Sequence, residues 1–467
     1  MTVQPRPHAA PRPRLPAAAF FANTTADPLA DAFPPRHGAH AATGARPVPA
    51  GEVAARWRAL AATPRTGRSV AYVHVPFCAN HCLFCGFYQN PWRPEAGAPY
   101  VDRLIDQLAA GGGTAMQRGH PLRAVYLGGG TPTALAADDL ARLIRALHRH
   151  LPLAPDCEIT VEGRAFDFGP DKAAATFDAG ATRISLGVQS FDDRLRRLMG
   201  RKVAGAEVRR FLAGLVAMDR GAVVIDLIYG LPGQTPALWQ ADLETATGLG
   251  LDGVDLYALK LIPGTPLLTA LEKGKRQAVP ASALGGFYAQ GAAHMARAGW
   301  EAISCTHWRR GTRERNAYNL EVKTGAACLA FGAGAGGSHA GHSWRTQPDL
   351  RAWEAEVAEG RPAVAGLMQA PPLQPLIDAI RAGMELGRLD LPAADAACAA
   401  LTGTGFASLA EPLTRQWTAA GLMAPDGPRM ALTLPGRFWQ VAMTQRLIDW
   451  TRQELAGATT TPKETTR

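Results

Sequence analysis

The stretch VAYVHVPFCANHCLFCGFYQN, residues 70–90, decides the fold. Val70–Val75 is a short β-rich run that stops at Pro76, and Cys78, Cys82 and Cys85 follow on one tight loop. The same grammar repeats outward from it. Further β-rich runs fall at Ala124–Leu127, Glu158–Val161, Arg183–Gly187, Val223–Ile228 and Gly253–Leu256. Between them, Ala98–Ala110, Ala137–His150, Ala206–Arg220 and Thr235–Gly248 carry apolar residues at helical spacing. Repeated strand–helix units predict an α/β fold, a parallel sheet with crossover helices that is open or curled into a whole or partial barrel. Cys78 to Cys85, Gly128–Thr131, Glu162, Gln189 and Asp226 are expected at the C-terminal ends of these runs, the rim where barrel enzymes gather their catalytic groups.

With 467 residues, 47% of them hydrophobic, the chain has material for a large core and accessory modules. No apolar run approaches the roughly 18 to 20 residues of a membrane span. The N-terminus, MTVQPRPHAAPRPRLPAAAFFA, has no convincing cleavage site, so a soluble, cytoplasmic protein without a membrane partner is expected. The net charge of +9 is scattered and lies partly in the first fifty residues, which does not suit nucleic acid. It suits acidic small molecules or an acidic redox partner. Cys157, Cys305, Cys328 and Cys398 lie far from the triplet and from one another, unlike a disulfide scaffold, and a reducing compartment fits them.

Residues 1–50, rich in Ala, Pro and Arg, read as loosely ordered, with Asp27-Pro28-Leu29 and Phe33 the piece suited to docking. The barrel and its extension are expected over 51–345, with Gly-rich Phe331–Gly341 as a backbone-lined turn or ligand loop. Short helices from Pro371, a turn at Asp426-Gly427-Pro428, a strand-like Met430–Leu434 and a last amphipathic helix predict a small, mostly helical, winged-helix-like domain over 346–455. A frayed tail, 456–467, follows.

Three thiolates spaced C-x-x-x-C-x-x-C suit three irons of a [4Fe–4S] cube and leave the fourth iron open to a ligand. A zinc knuckle is the plainer alternative, but zinc wants a fourth Cys or His, and His81 inside the loop makes an uncommon spacing for it. The triplet, with Tyr72-Val73-His74-Val75-Pro76-Phe77 before it, resembles the radical S-adenosylmethionine (SAM) superfamily, and within it the oxygen-independent coproporphyrinogen oxidase family. Gly128-Gly129-Gly130-Thr131-Pro132, Arg183–Phe191 and Asp226–Gln234 follow in that family's order. The resemblance implies a partial (β/α) barrel, a [4Fe–4S] cluster on Cys78, Cys82 and Cys85, and two bound SAM molecules. By the same motifs, Tyr72, Gly129 and Glu162 would hold the SAM at the cluster, while Phe84, Gly130, Thr131, Gln189, Arg201 and Asp226 would line the second position. Taken one at a time, Glu162 also reads as an ordinary strand-end acid and Gly128–Gly130 as a turn.

Two flanking residues choose the branch. The oxidases carry another cysteine where this chain has Phe87, and the haem chaperones usually carry Asp where it has Gly86. Cys82–Asn90, Tyr257–Thr265, Thr306–Arg310, Glu314-Arg315-Asn316 and Phe331–Gly337 resemble instead the anaerobic haem-degrading methyltransferases. That resemblance implies transfer of a SAM-derived carbon to haem, opening of the ring to a linear tetrapyrrole and release of iron. Reduced flavodoxin or ferredoxin is the expected electron donor; the porphyrinogen oxidase and the haem chaperone are the alternatives. For haem itself, Arg309, Arg310, Arg313 and Arg315 suit propionates, His307, His339 and His342 suit the iron, and Trp308 and Tyr318 suit stacking. A solvated arginine face, structural histidines and core aromatics are equally open readings.

Overall fold

The computed structural model describes residues 14–34, 44–166 and 168–458. Expectations for residues 1–13, 35–43 and the tail from 459 lie outside them. Six strands, Ser69–Val75, Leu122–Gly129, Leu153–Gly163, Arg183–Gln189, Ala222–Tyr229 and Gly253–Ala258, pair side by side in chain order and all run parallel. Helices Pro94–Gly111, Ala137–His150, Gly205–Met218 and Pro236–Gly248 lie in the intervals between them. Local chemistry starts the last of these: Thr235 accepts the Leu238 N–H at 3.2 Å, and Pro236 stands at the first turn, where no donor is missed.

A seventh parallel strand, Ala327–Phe331, returns to lie beside Ser69–Val75. Antiparallel strands then extend both edges, His307–Arg309 and Glu301–Ala302 at one, and Gly336–His339, His342–Thr346, Val364–Gln369 and Arg46–Pro47 at the other. The sheet of the described residues therefore stays open, a partial barrel. The Gly-rich stretch is a strand entering a hairpin as well as a loop, because at Gly337 an added Cβ would sit 2.4 Å from the Trp344 ring. The expected boundary at 345 falls inside this extension: Leu367, beyond it, is buried in the same core as Trp344.

The two faces of the strands differ in chemistry. Val73, Val75, Val125, Leu127 and Val161 pack outward against Leu104, Leu108, Ile144 and Leu147 of the helices. Ile184, Leu186, Ile225 and Val254 do the same against Leu212, Trp239 and Leu243. Because strand side chains alternate, Tyr72, His74, Tyr126, Glu162, Arg183, Asp226 and Asp255 share the inner face.

A second core belongs to the C-terminal region, where helices Gln374–Glu385, Leu391–Thr402, Phe406–Ala419 and Gln440–Ala458 pack with a three-stranded sheet. Its hairpin turns at Gly427, where φ is +56°. The strand expected over Met430–Leu434 is Arg429–Leu432, because the Thr433 side chain accepts the Gly436 N–H and begins a helix at Leu434. The last helix reaches Ala458, past the tail boundary at 456.

Residues 14–34 correct the expectation of a loose N-terminus. Phe33 is buried edge-on against Trp417 and Trp439, under the Arg446 guanidinium at 4.3 Å. Trp439 donates its indole N–H to the Pro28 carbonyl at 2.8 Å, and Gln416 exchanges hydrogen bonds with the Ala22 backbone at 2.8 and 2.9 Å. Every partner is some 400 positions away in the chain, so no local periodicity announces the docking. Phe33→Ala is expected to weaken it by about 3–5 kcal/mol, seen as proteolysis of residues 14–34 at protease levels that leave the parent intact.

Candidate functional site

The cysteine loop leaves the end of the Ser69–Val75 strand and is pinned at its base. Phe77–Cys78 pairs with Asn90–Pro91, and Trp92 donates its N–H to the Cys78 carbonyl at 2.9 Å. Its far side is tied by Leu83 N–H to Met199 O at 3.2 Å and Leu267 N–H to Leu83 O at 2.8 Å. Cys78 and Cys82 are buried and Cys85 is half-buried; none is in a disulfide. Each sulfur has a donor against it. Thr131 Oγ1 lies 3.5 Å from Cys78 Sγ, Arg164 Nη1 3.4 Å from Cys82 Sγ, and the Phe87 N–H 3.3 Å from Cys85 Sγ. Burial pushes the Cys78 and Cys85 thiols up, which favours the thiol until a cation such as bound iron is supplied.

The glycine run beside the loop brings backbone close to the same place. Gly129 has φ +112°, and an added Cβ would lie 2.5 Å from the His74 ring; at Gly130 it would lie 2.4 Å from the Phe77 carbonyl oxygen. Only glycine allows that approach. Glu162 projects beneath it, its Oε2 2.7 Å from where a Cβ on Gly128 would stand. Burial raises its carboxyl to about 7 against the pull of the Gly129 N–H and Arg201, so a ligand cation there would shift it further toward the carboxylate at neutral pH. Tyr72 lies on the same face, its hydroxyl 3.0 Å from His74 Nδ1, and burial keeps that imidazole neutral by lowering its pKa to about 4.

On the other side of the loop, the Arg201 guanidinium stands 5.8 Å over the Phe84 ring, and Arg201 Nη2 and Gln189 Nε2 converge above Gly187. Gln189 sits at φ +66°, just past an irregularity in strand pairing, in a backbone region that costs a non-glycine residue about 1–3 kcal/mol. Asp226 pairs in register with Gly187 and Asp255; burial and the neighbouring Asp255 and Glu162 carboxyls push its pKa well up. It lies within its strand, between Ala222 and Tyr229, and not at the strand's end. The cysteine loop, Gly129, Gly130, Thr131, Glu162 and Gln189 thus gather at the C-terminal ends of the strands, while Tyr72 and Asp226 lie deeper on the inner face. The set suits an anionic metal cluster and a cationic, hydroxyl-bearing ligand beside it: sulfurs with donors, bare backbone for close approach, and carboxylates waiting for a cation.

The expected haem contacts are not brought there. His307 is fully buried with its ring between two carboxylates, Nδ1 2.8 Å from Asp255 and Nε2 3.0 Å from Glu314. His339 meets the Thr63 carbonyl at 2.9 Å, and His342 Nδ1 the Ala340 carbonyl at 2.9 Å. Arg309 pairs with Glu301, Arg313 with Asp219 and Arg315 with Asp156. Arg313 and Arg315 border a cavity with Glu158 and Ala222, at strand starts and so opposite the cysteine loop. Arg310 is held by its own N–H to Asp252, again before a strand start. Trp308 is core beside Tyr288, and Tyr318 is tilted against Tyr126 at 4.9 Å and against Tyr72 at 6.0 Å, so it borders the inner face behind Tyr72.

Arg164, Asn80 and Asp255 join the site without having been singled out from sequence. Arg164 had a signal: it stands two residues past Glu162 on the same strand end. The branch-choosing flanks also have a structural setting. Gly86 lies against Ile262, 3.0 Å from where a Cβ would stand, and Phe87 is 70% exposed.

The Radical SAM superfamily pattern matches residues 72–246. Anaerobilin synthase of Escherichia coli O157:H7 is 43% identical over 408 residues, 86% of this chain and 89% of that protein. Heme chaperone HemW of Mycobacterium tuberculosis (strain CDC 1551 / Oshkosh) is 29% identical over 81% of this chain and 94% of its own. The solved coproporphyrinogen III oxidase HemN of Escherichia coli, a radical SAM enzyme, superposes with a TM-score of 0.72 over 88% of this chain and 96% of that one, at 22% identity, and so shares the fold. With its cysteine loop, glycine cradle and partial barrel, and with that near full-length identity, the chain belongs to the radical SAM superfamily, in the family that includes anaerobilin synthase.

Proposed function

We propose that this protein is a radical SAM methyltransferase that dismantles haem without oxygen, placing a SAM-derived carbon on the porphyrin, opening the ring to a linear tetrapyrrole and freeing the iron. The observation that carries the reading is the 43% identity to anaerobilin synthase across 86% of the chain. When bound, the cluster and SAM supply reductive cleavage to a carbon radical; the chain supplies position and exclusion of water. Cys78, Cys82 and Cys85 hold the cluster. Tyr72, Gly129 and Glu162 hold the SAM beside it, with Glu162 ionising against the ligand's ammonium. Phe84, Gly130, Thr131, Gln189, Arg201 and Asp226 line a second SAM position. Asp226, whose pKa is pushed up by burial and by the neighbouring Asp255 and Glu162 carboxyls, serves as a hydrogen-bond partner to ribose hydroxyls. The protein works in the cytoplasm, where no described helix is long and apolar enough to cross a membrane, and takes electrons from reduced flavodoxin or ferredoxin, whose acidic surfaces complement its net charge of +9.

Anaerobic incubation of the reconstituted protein with haem, SAM and a reductant tests this. Loss of the Soret band with a methylated linear product is expected. Haem that stays intact and tightly bound would overturn the reading in favour of a chaperone, and release of carbon dioxide from coproporphyrinogen would do so in favour of an oxidase.

A further inference from the structure

Arg164 leaves the end of the Leu153–Gly163 strand and reaches the cysteine loop. One end of its guanidinium is occupied: Nη1 lies 3.2 Å from Asn80 Oδ1 and 3.4 Å from Cys82 Sγ. The other edge, Nε and Nη2, is buried and has no protein partner. That edge is the side-on pair of donors that matches the two oxygens of a carboxylate. Arg201 lies close by, and its Nε is likewise buried without a partner. Both border one small cavity of about 20 Å³ with Asn80, Gly187, Arg196 and Lys202, and its charged lining among the described residues is basic.

Arg196 is accounted for, donating to the carbonyls of Val188, Ser190 and Val203 at 2.7 to 3.0 Å. Arg164 and Arg201 are not. Burial disfavours the Arg201 charge and Arg164 repels it, which Cys82, Cys85 and Asp226 offset only in part. Two like charges with free N–H groups turned into a shared cavity are costly unless an anion completes them. The cavity has room for about one water-sized group, so it can take the tip of a ligand's end group and excludes a macrocycle.

We propose that Arg164, with Arg201 beside it, is the seat for a carboxylate that ends a larger ligand, held side-on by Arg164 Nε and Nη2 next to Cys82. Two ligands of the proposed reaction carry such a group, SAM on its methionyl end and haem on its propionates. The seat rests on that reading for its choice of ligands, and the test separates the two.

Binding to the reconstituted holoenzyme is measured by titration calorimetry for four probes: SAM, decarboxylated SAM, haem and haem dimethyl ester. Arg164→Gln is compared with the parent, and Arg164→Lys keeps the positive charge beside Cys82 while removing the fork. Iron content and cluster absorbance first establish that each variant is loaded. Both variants are expected to lose about 10- to 100-fold in affinity for one carboxylate-bearing ligand and almost nothing for its carboxylate-free counterpart. Selectivity in the SAM pair assigns the seat to the methionyl carboxylate; selectivity in the haem pair assigns it to a propionate. Equal losses within each pair, or none, overturn the proposal. If Arg164→Gln fails to load its cluster, Arg164→Lys alone decides. Failure of the functional reading shows separately, as haem left unconsumed by the parent protein while the affinities remain measurable.

Discussion

Replacing Cys82 with Ala is expected to leave a folded protein that stays colourless after iron and sulfide reconstitution and forms 5′-deoxyadenosine only at background. Cys82 supplies one of three sulfurs to the proposed cube, and two thiolates on one loop do not hold it with an open iron in place. The fold does not depend on that sulfur. The ties at Leu83 and Cys78 are backbone hydrogen bonds that an alanine at 82 keeps. Far-UV circular dichroism is therefore expected to match the parent, while absorbance and SAM cleavage are lost. Full SAM cleavage by this variant would remove Cys82 from the cluster ligands.

Glu314→Ala is expected to cost about 3–5 kcal/mol of stability, read from urea unfolding of parent and variant. Glu314 and Arg183 are 0% and 1% exposed at the side chain, with Arg183 Nε 2.9 Å and Nη2 3.0 Å from the carboxylate. His307 Nε2 meets the same carboxylate at 3.0 Å, and its Nδ1 meets Asp255. Removing Glu314 leaves buried Arg183 without its two-pronged partner and His307 with Asp255 alone. A loss under about 1 kcal/mol would mean that water enters and solvates them.

The same cluster sets a pH dependence. Burial opposes charge on His307, but Asp255 and Glu314 outweigh it and raise its pKa from 6.5 to about 9. Its contribution is complete below about 6.5 and is lost as pH rises through about 9. Burial would raise Glu314, but Arg183 and His307 outweigh it and lower it from 4.5 to about 2; that contribution is present above 4.5 and is lost as pH falls toward 2. The groups facing His307 are Asp255 and Glu314, with Asp226 beyond Asp255 and Arg183 beyond Glu314.

Much of the site could be read before the fold was known because its parts are local. Val70–Val75 ends at Pro76, the thiols stand within one loop, and Gly128–Gly130 needs no distant partner to bring backbone close to a ligand. The strand ranges came out close for the same reason: a buried parallel strand is a nearly continuous apolar run, as in Val223–Ile228 with Asp226 its one polar residue, and a run is visible along the chain. Arg164 was passed over because an arginine after a strand looks like any solvated arginine until Cys82 and an unfilled cavity are found against it.

The arginines at 309–315 failed in the opposite sense. Their clustering in sequence suggested a common grip, but charge spacing along a chain does not say at which end of a sheet it emerges. These residues flank the His307–Arg309 strand, which runs antiparallel to its neighbour, so Arg309 lies opposite Gly253 and the arginines that follow emerge at strand starts. Phe33 was legible as a residue suited to docking, but not where it docks, since its partners Trp417 and Trp439 lie in the last quarter of the chain. By itself the sequence determined the strand–helix alternation, the cysteine loop and the glycine cradle, which follow from spacings within one element or turn. The tertiary structure alone decided the open sheet, the buried Arg183–Glu314–His307–Asp255 charges, the docking of residues 14–34 and the unfilled donors of Arg164. Each of those depends on which side chains burial brings together across many residues, and pairwise electrostatics and packing at such separations leave no period in the chain.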